Sequence, residues 1–298
     1  MKKIFIAGGS GLLGYNSIKY LKSKKYNVFS SYNKNLIINE EGIKPFKINL
    51  TNYEDTFRLI NNIKPDVLIN FAGLTNVESC EKYPKSANEL NVGITHNLSK
   101  ISNTLDIAFV QMSTDHLFNK KNFLFSENDK TNPLNTYSKT KLKSEECATK
   151  NNINSLIIRS NFFCSSSSNK KSFIDLIKFS LQKNKPIHLF KDVTFTPISF
   201  YLMLDYILLL IKNNKTGTFN IAGNENLTKY DFGIILAKFF DFDINLIKPI
   251  LITEKKLVHR PHNMSLDNSK LKKVLNIEIP KIQDQLKIFY ERFNYSNS

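Results

Sequence analysis

Through the first 160 residues, short apolar runs alternate with longer stretches in which apolar positions recur every three or four. KIFIAG, YNVFSSY, KPFKIN, DVLINFA, IAFVQMS and SLIIRS have the length and composition of strands. Between them, GLLGYNSIKYLKSK, YEDTFRLINNI, SANELNVGITHNLSKISNT and NTYSKTKLKSEECATK have helical spacing. This alternation predicts an α/β fold, a Rossmann-type doubly wound parallel sheet with helices on both faces. Beyond residue 161 the pattern changes. SSSSNKK (165–171) is a loop by composition, SFIDLIKFSLQK and TKYDFGIILAKFFD read as helices, and GTFNIAG as a returning strand. ISFYLMLDYILLLI is apolar but interrupted by Asp205 and too short for a membrane span, so it predicts a buried helix. The expected organisation is a dinucleotide-binding domain over 1–161, with 191–222 returning to it. A smaller substrate-binding region then covers 162–190 and 223–298.

AGGSGLLG joins the first predicted strand to the first helix. Gly9, Gly11 and Gly14 match G-x-G-x-x-G, while Gly8, Gly11 and Gly14 match G-x-x-G-x-x-G, and these residues alone leave both readings open. In either reading Gly11 lets the backbone approach a pyrophosphate, and Gly14 lets the helix pack closely on the sheet. The phosphates then meet the positive helix N-terminus. The second strand ends in Ser30-Ser31-Tyr32-Asn33-Lys34, with no acid before Glu40. The ribose diol of NAD calls for a carboxylate here, whereas a 2′-phosphate suits hydroxyl and basic groups. NADPH is therefore the expected cofactor, with Ser31 and Lys34 as phosphate contacts and NADH as the alternative.

NTYSKTK places Tyr137 and Lys141 one helical turn apart on one face. A phenol near pKa 10 is a poor acid at neutral pH unless a cation favours the phenolate, and Lys141 supplies that cation. Tyr137 is thus a candidate to protonate a carbonyl oxygen. QMSTDHLF follows the fifth strand at the edge where such sheets bind ligands, and Thr114 there is positioned to hydrogen-bond the same oxygen.

Composition narrows the classes. The chain has 298 residues, room for one large α/β domain and a smaller appendage. Cys80, Cys147 and Cys164 make no C-x-x-C pair and are odd in number, which predicts a reducing cytoplasm. The apolar run after Lys2-Lys3 is four residues long, too short for a signal peptide. The net charge of +16 divides into +7 for residues 1–150 and +9 for the rest, its lysines single or in scattered pairs. A nucleic-acid surface concentrates such charge in a stripe, so neither nucleic acid nor membrane is an expected partner. A positive field still favours small anionic ligands. No metal site is expected: Pro261 between His259 and His262 spoils a helical ligand pair, and no Cys/His cluster has zinc spacing.

AGGSGLLG, NFAGLTNVESCE, the Asn91 segment, STDHLF, NPLNTYSKTK and RPHNMSLDNSKL stand in the order and spacing of extended short-chain dehydrogenase/reductases. Nearly end to end, the chain resembles the dTDP-4-dehydrorhamnose reductases and related sugar-nucleotide reductases. The resemblance selects Gly8, Gly11 and Gly14 as the fingerprint and makes Gly9 incidental. It implies that Thr114, Tyr137 and Lys141 are catalytic. Gly8, Gly11, Leu12, Leu13, Gly14, Ser31, Lys34, Asn49, Leu50, Ala72, Gly73 and Thr75 would hold the cofactor together with Tyr137 and Lys141. Thr75, Thr114, Asp115, His116, Phe162 and Arg260 would meet a nucleotide-linked sugar, and a homodimer is compatible with the family. The implied reaction is NADPH-dependent reduction of a 4-keto-6-deoxy sugar for cell-surface polysaccharide.

The chain also departs from the pattern. His116-Leu117-Phe118 stands where Tyr-Val-Phe is usual, Phe162 lies where a Trp is common, and Ser165 to Ser168 replace a glycine-bearing loop. His116 after Asp115 takes the place of the glutamate that dehydratases need. It leaves an epimerase-reductase of the GDP-fucose synthase type as the enzymatic alternative. The regulatory subunit of methionine adenosyltransferase, which resembles the same reductases, is the non-catalytic one.

Overall fold

The computed structural model describes residues 2–34, 43–120, 123–165 and 172–297, with side chains to residue 293. Glu40 and Ser166 to Lys171 lie outside the described residues. Strands and helices alternate as the apolar periodicity predicts. In chain order they are β1 (Lys3–Ala7), α1 (Leu12–Ser23), β2 (Asn27–Tyr32), β3 (Ile43–Lys47), α2 (Tyr53–Ile63) and β4 (Val67–Asn70). There follow α3 (Val77–Lys82), α4 (Pro84–Asn88), α5 (Ile94–Thr104), β5 (Ala108–Met112), α6 (Thr136–Asn151) and β6 (Leu156–Arg159). A later strand, β7 (Gly217–Asn220), completes a seven-stranded sheet of order β7-β6-β5-β4-β1-β2-β3. Every pairing from β3 across to β6 is parallel. This is the Rossmann-type α/β fold, and the order reverses between β1 and β4.

Burial explains why these strands are near-continuous apolar runs. Ile4 to Ala7 and Val67 to Ile69 are buried, as a sheet covered on both faces requires. Phe5, Leu68 and Phe109 meet Ile60, Leu98 and Ile101 from α2 and α5 in one core. Two features depart from the sequence reading. The stretch predicted as one helix over 86–104 is α4, then a π-helical turn at Glu89–Gly93, then α5. And α3, which no apolar period announces, is nucleated by Asn76, whose side chain accepts from the Ser79 N–H at 2.7 Å.

The chain forms two compact units. The first holds Met1–Thr114, Asn135–Ile158 and Leu210–Thr218; the second holds Asp115–Leu134, Arg159–Leu209 and Phe219–Ser298. The second unit is built from short pieces. Phe162–Phe163 pairs with Ile198–Ser199, Ile187–Phe190 with Ile247–Ile250, and Thr194–Phe195 lies between Leu227–Thr228 and Asn263–Met264. Five helices follow one another: α7 (Phe173–Gln182), α8 (Phe200–Lys212, which runs into the first unit), α9 (Lys229–Phe239), α10 (Ser269–Leu275) and α11 (Ile282–Asn297). The predicted buried helix is α8, with Met203, Leu204, Ile207 and Leu210 fully inside. Aromatic rings fill the second unit's core: Phe232 lies 5.6 Å from both Phe163 and Phe195, and Phe289 lies 5.6 Å from Phe163. Among the described residues no helix is long and apolar enough to cross a membrane.

Candidate active site

The register of the sheet sets the geometry of the first unit's site. Ala7 pairs with Asn70 and Asn70 with Gln111, so Gly8, Phe71 and Met112 leave adjacent strands at one edge. Gly8 has φ +84, and a Cβ on it would lie 2.7 Å from the Ala72 backbone. A Cβ on Gly14 would lie 2.2 Å from the Gly8 carbonyl oxygen, so α1 is seated directly on the loop. The glycine requirement at Gly8 and Gly14 is steric. Gly11 is the N-cap of α1; no side chain caps this end, and its first turn carries no acid. A helix start of that kind suits an anion, and the cradle fits a dinucleotide pyrophosphate. Leu12 and Leu13 form its first turn.

The remaining cofactor candidates are spread along this edge. Ser31 is buried and its hydroxyl accepts the Gly8 N–H at 3.1 Å, while Lys34 is exposed just past β2. Asn49 is exposed and accepts from the Thr51 N–H and hydroxyl. Leu50 is a core residue whose carbonyl accepts from Asn97 at 3.0 Å. Ala72 is partly buried, and Gly73 and Thr75 are exposed.

A polar network holds this edge rigid. Asn70 donates to Gln111 at 2.8 Å and accepts the Ala72 N–H at 3.0 Å, while Thr95 donates to Gln111 at 3.0 Å. Asn91, inside the π turn, accepts the Leu74 N–H at 2.7 Å and donates to the Leu74 carbonyl and to Thr140 on α6. Its own carbonyl accepts from Ser144 at 2.8 Å. The π turn, Ala72–Leu74 and α6 are thereby tied together through one buried side chain.

α6 carries two of the candidates, Tyr137 and Lys141. Its N-cap Asn135 accepts the Ser138 N–H at 2.9 Å in a reciprocal capping box, fixing the first turn that bears Tyr137. Lys141, one turn on, is buried, and its ammonium donates to the Met112 carbonyl at 2.5 Å, two residues before Thr114. Burial pushes the Lys141 ammonium down to about 8, against Glu145 and Cys80, which favour its charge. Glu145 accepts from the Ser113 hydroxyl, so α6 grips the end of β5 at both Met112 and Ser113. Thr114 is buried and Tyr137 partly exposed. The arrangement offers a buried cation, a phenol one turn away and a hydroxyl at the strand exit. Glu145 escapes the sequence reading, and Asn91 enters it only as a motif segment with no role assigned; Glu145 stands at i+4 from Lys141, the one signal that could have found it.

The second unit holds the other candidates. Asp115 is buried and accepts from Asn161, and its Oδ1 lies 4.0 Å from His116 Nε2. Burial lowers the pKa of His116; Asp115 opposes this, and Lys229 and Arg260 add to it. Phe162 is partly buried in its short strand, and Arg260, also partly buried, donates to the Val258 carbonyl. Lys229 has no motif that marks it in the sequence.

The model of the RmlD substrate-binding domain matches residues 1–295. The chain belongs to that family. Among similar proteins, the probable low-salt glycan biosynthesis reductase Agl14 of Haloferax volcanii is 26% identical, covering 95% of both chains. The methionine adenosyltransferase 2 subunit beta of Rattus norvegicus is 28% identical over 91% of this chain and 81% of its own. The crystal structure of dTDP-4-dehydrorhamnose reductase from Bacillus anthracis, in complex with NADP, superposes with a TM-score of 0.86. It covers 98% of this chain and all of that one, at 20% identity, which shows a shared fold.

Proposed function

We propose that this chain is an NADPH-dependent reductase that converts the C4 ketone of a nucleotide-linked 4-keto-6-deoxy sugar to an alcohol, serving cell-surface polysaccharide assembly. The observation that carries the reading is the Lys141 ammonium held on the Met112 carbonyl, one turn from Tyr137 and two residues before Thr114. NADPH, when bound against Gly8, Gly11 and Gly14, supplies hydride to the ketone carbon. The hydroxyls of Thr114 and Tyr137 hold the ketone oxygen. Tyr137 passes its proton to that oxygen, and the Lys141 charge stabilises the phenolate left behind. The exposed Lys34 and the lack of an acid in Ser30–Lys34 favour the 2′-phosphate. Asp115, His116, Phe162 and Arg260 contact the sugar nucleotide.

The match to the methionine adenosyltransferase subunit supports a second reading, a non-catalytic regulatory partner. One screen separates them. Incubation with the dTDP-, UDP- and GDP-linked keto sugars is expected to consume NADPH in step with product for at least one nucleotide. No consumption with any of them would leave the regulatory reading in its place.

A further inference from the structure

Lys141 and Glu145 stand four residues apart on α6, so their side chains leave the same face of the helix as neighbours. Both are buried. Each also grips the exit of β5. The Lys141 ammonium donates to the Met112 carbonyl at 2.5 Å, and the Glu145 carboxylate accepts from the hydroxyl of the next residue, Ser113. Two consecutive residues thus fix both head groups on one seam between α6 and β5, all within the first unit. An ammonium withdrawn from water is costly unless a charge answers it, and the Met112 carbonyl is a neutral partner. The hydroxyl donor suits an ionised carboxylate and strengthens its hold.

The other titratable groups around α6 do not supply that charge. Cys80 on α3 acts on Lys141, but burial pushes its thiol up to about 11, so it is neutral near pH 8. Glu78 and Glu81 on α3 are exposed, and Glu81 is held on the Thr136 N–H at 2.9 Å. Lys85 on α4, Glu89 in the π turn and Lys100 on α5 are exposed, and His96 on α5 faces Cys147 and Asn151. On α6 itself Lys139, Lys143, Glu146 and Lys150 point to solvent.

We propose that Glu145 is a positioning residue for Lys141: its carboxylate, fixed on the Ser113 hydroxyl, supplies the counter-charge that keeps the buried ammonium protonated on the Met112 carbonyl, one turn from Tyr137. Its use in turnover rests on the reductase reading, in which that ammonium stabilises the Tyr137 phenolate.

NMR titration of the full chain, labelled with carbon-13 at the lysine ε position, tests this without reference to activity. The Lys141 signal is the one missing in Lys141→Met. Glu145→Gln keeps an acceptor for Ser113 and removes the charge. The carboxylate favours the protonated ammonium, so its loss moves the Lys141 midpoint to lower pH, by about one unit or more. Ser113→Ala leaves both charges but frees the carboxylate, and moves the midpoint in the same direction by less. Lys229 in the second unit, which burial also pushes down to about 8, is the control that stays in place. Each variant is checked for wild-type melting, and Ser113→Ala decides alone if Glu145→Gln does not fold. Turnover is measured against pH in parallel. Its alkaline limb follows the Lys141 midpoint, so Glu145→Gln is about threefold or more slower at pH 7.5 and approaches wild type as pH falls. A role in packing alone lowers turnover by one factor at every pH. An unmoved Lys141 midpoint in the folded variants overturns the proposal. A shifted midpoint in a protein that consumes no NADPH sinks the reductase reading alone, and consumption with an unmoved midpoint sinks this inference alone.

Discussion

Lys141 meets two demands at once. In the proposed reaction its ammonium must stay charged to favour the Tyr137 phenolate, yet it is buried, and burial pushes it down to about 8. The charged form dominates below that value and is lost as pH rises through it. Turnover should therefore hold to about pH 8 and fall above it, and Lys141→Arg, whose guanidinium does not titrate there, should remove this limb at whatever activity remains. A profile flat to pH 10 would contradict the role given to Lys141. Tyr137 is tested more simply. Tyr137→Phe is expected to lower kcat on the order of a hundredfold or more, the scale of a positioned acid, with NADPH affinity unchanged by titration. Near-normal turnover in that variant would remove Tyr137 as the proton donor.

At the scale of elements, the π turn between α4 and α5 is the joint that brings Asn91 to Leu74 and Thr140. Asn91→Ala removes the acceptor of the Leu74 N–H and one partner each from the Leu74 carbonyl, which keeps Cys80, and the Thr140 hydroxyl, which keeps the Tyr137 carbonyl, at a cost of about 1–3 kcal/mol. Chemical denaturation should show that loss of stability. Unaltered stability would mean that the edge is held by other contacts. The alternation of apolar runs made the strands, α1, α2 and α6 legible in the sequence, because burial on both faces of a parallel sheet leaves a strong mark. The π turn was not legible: one extra residue per turn leaves a helical period nearly intact, and only the partners of Asn91 reveal it. Nor was α3, whose start rests on a single asparagine cap.

At the scale of the molecule, the two units divide the candidate residues by proposed role. The glycine cradle, Thr114, Tyr137 and Lys141 lie in the first, and Asp115, His116, Phe162 and Arg260 in the second. The first set was readable because strand, glycine spacing and helix come consecutively in the chain. The second set was proposed through the family resemblance alone, since beyond Asp115 it lies among short strands that leave little periodicity. The passage from Thr114 to Asp115 joins the two sets without any shift in composition. Reduction at C4 by this set is tested by following isotope. NADPH carrying deuterium on its transferable position is incubated with the accepted keto sugar, and the product is examined by NMR; a parallel incubation runs in heavy water with ordinary NADPH. One deuterium is expected at sugar C4 in the first and none at C3 or C5 in the second. Enzyme-dependent deuterium at C3 or C5, lost in His116→Asn, would make the protein an epimerase-reductase, and product without deuterium at C4 in the first incubation would contradict hydride transfer to C4 outright.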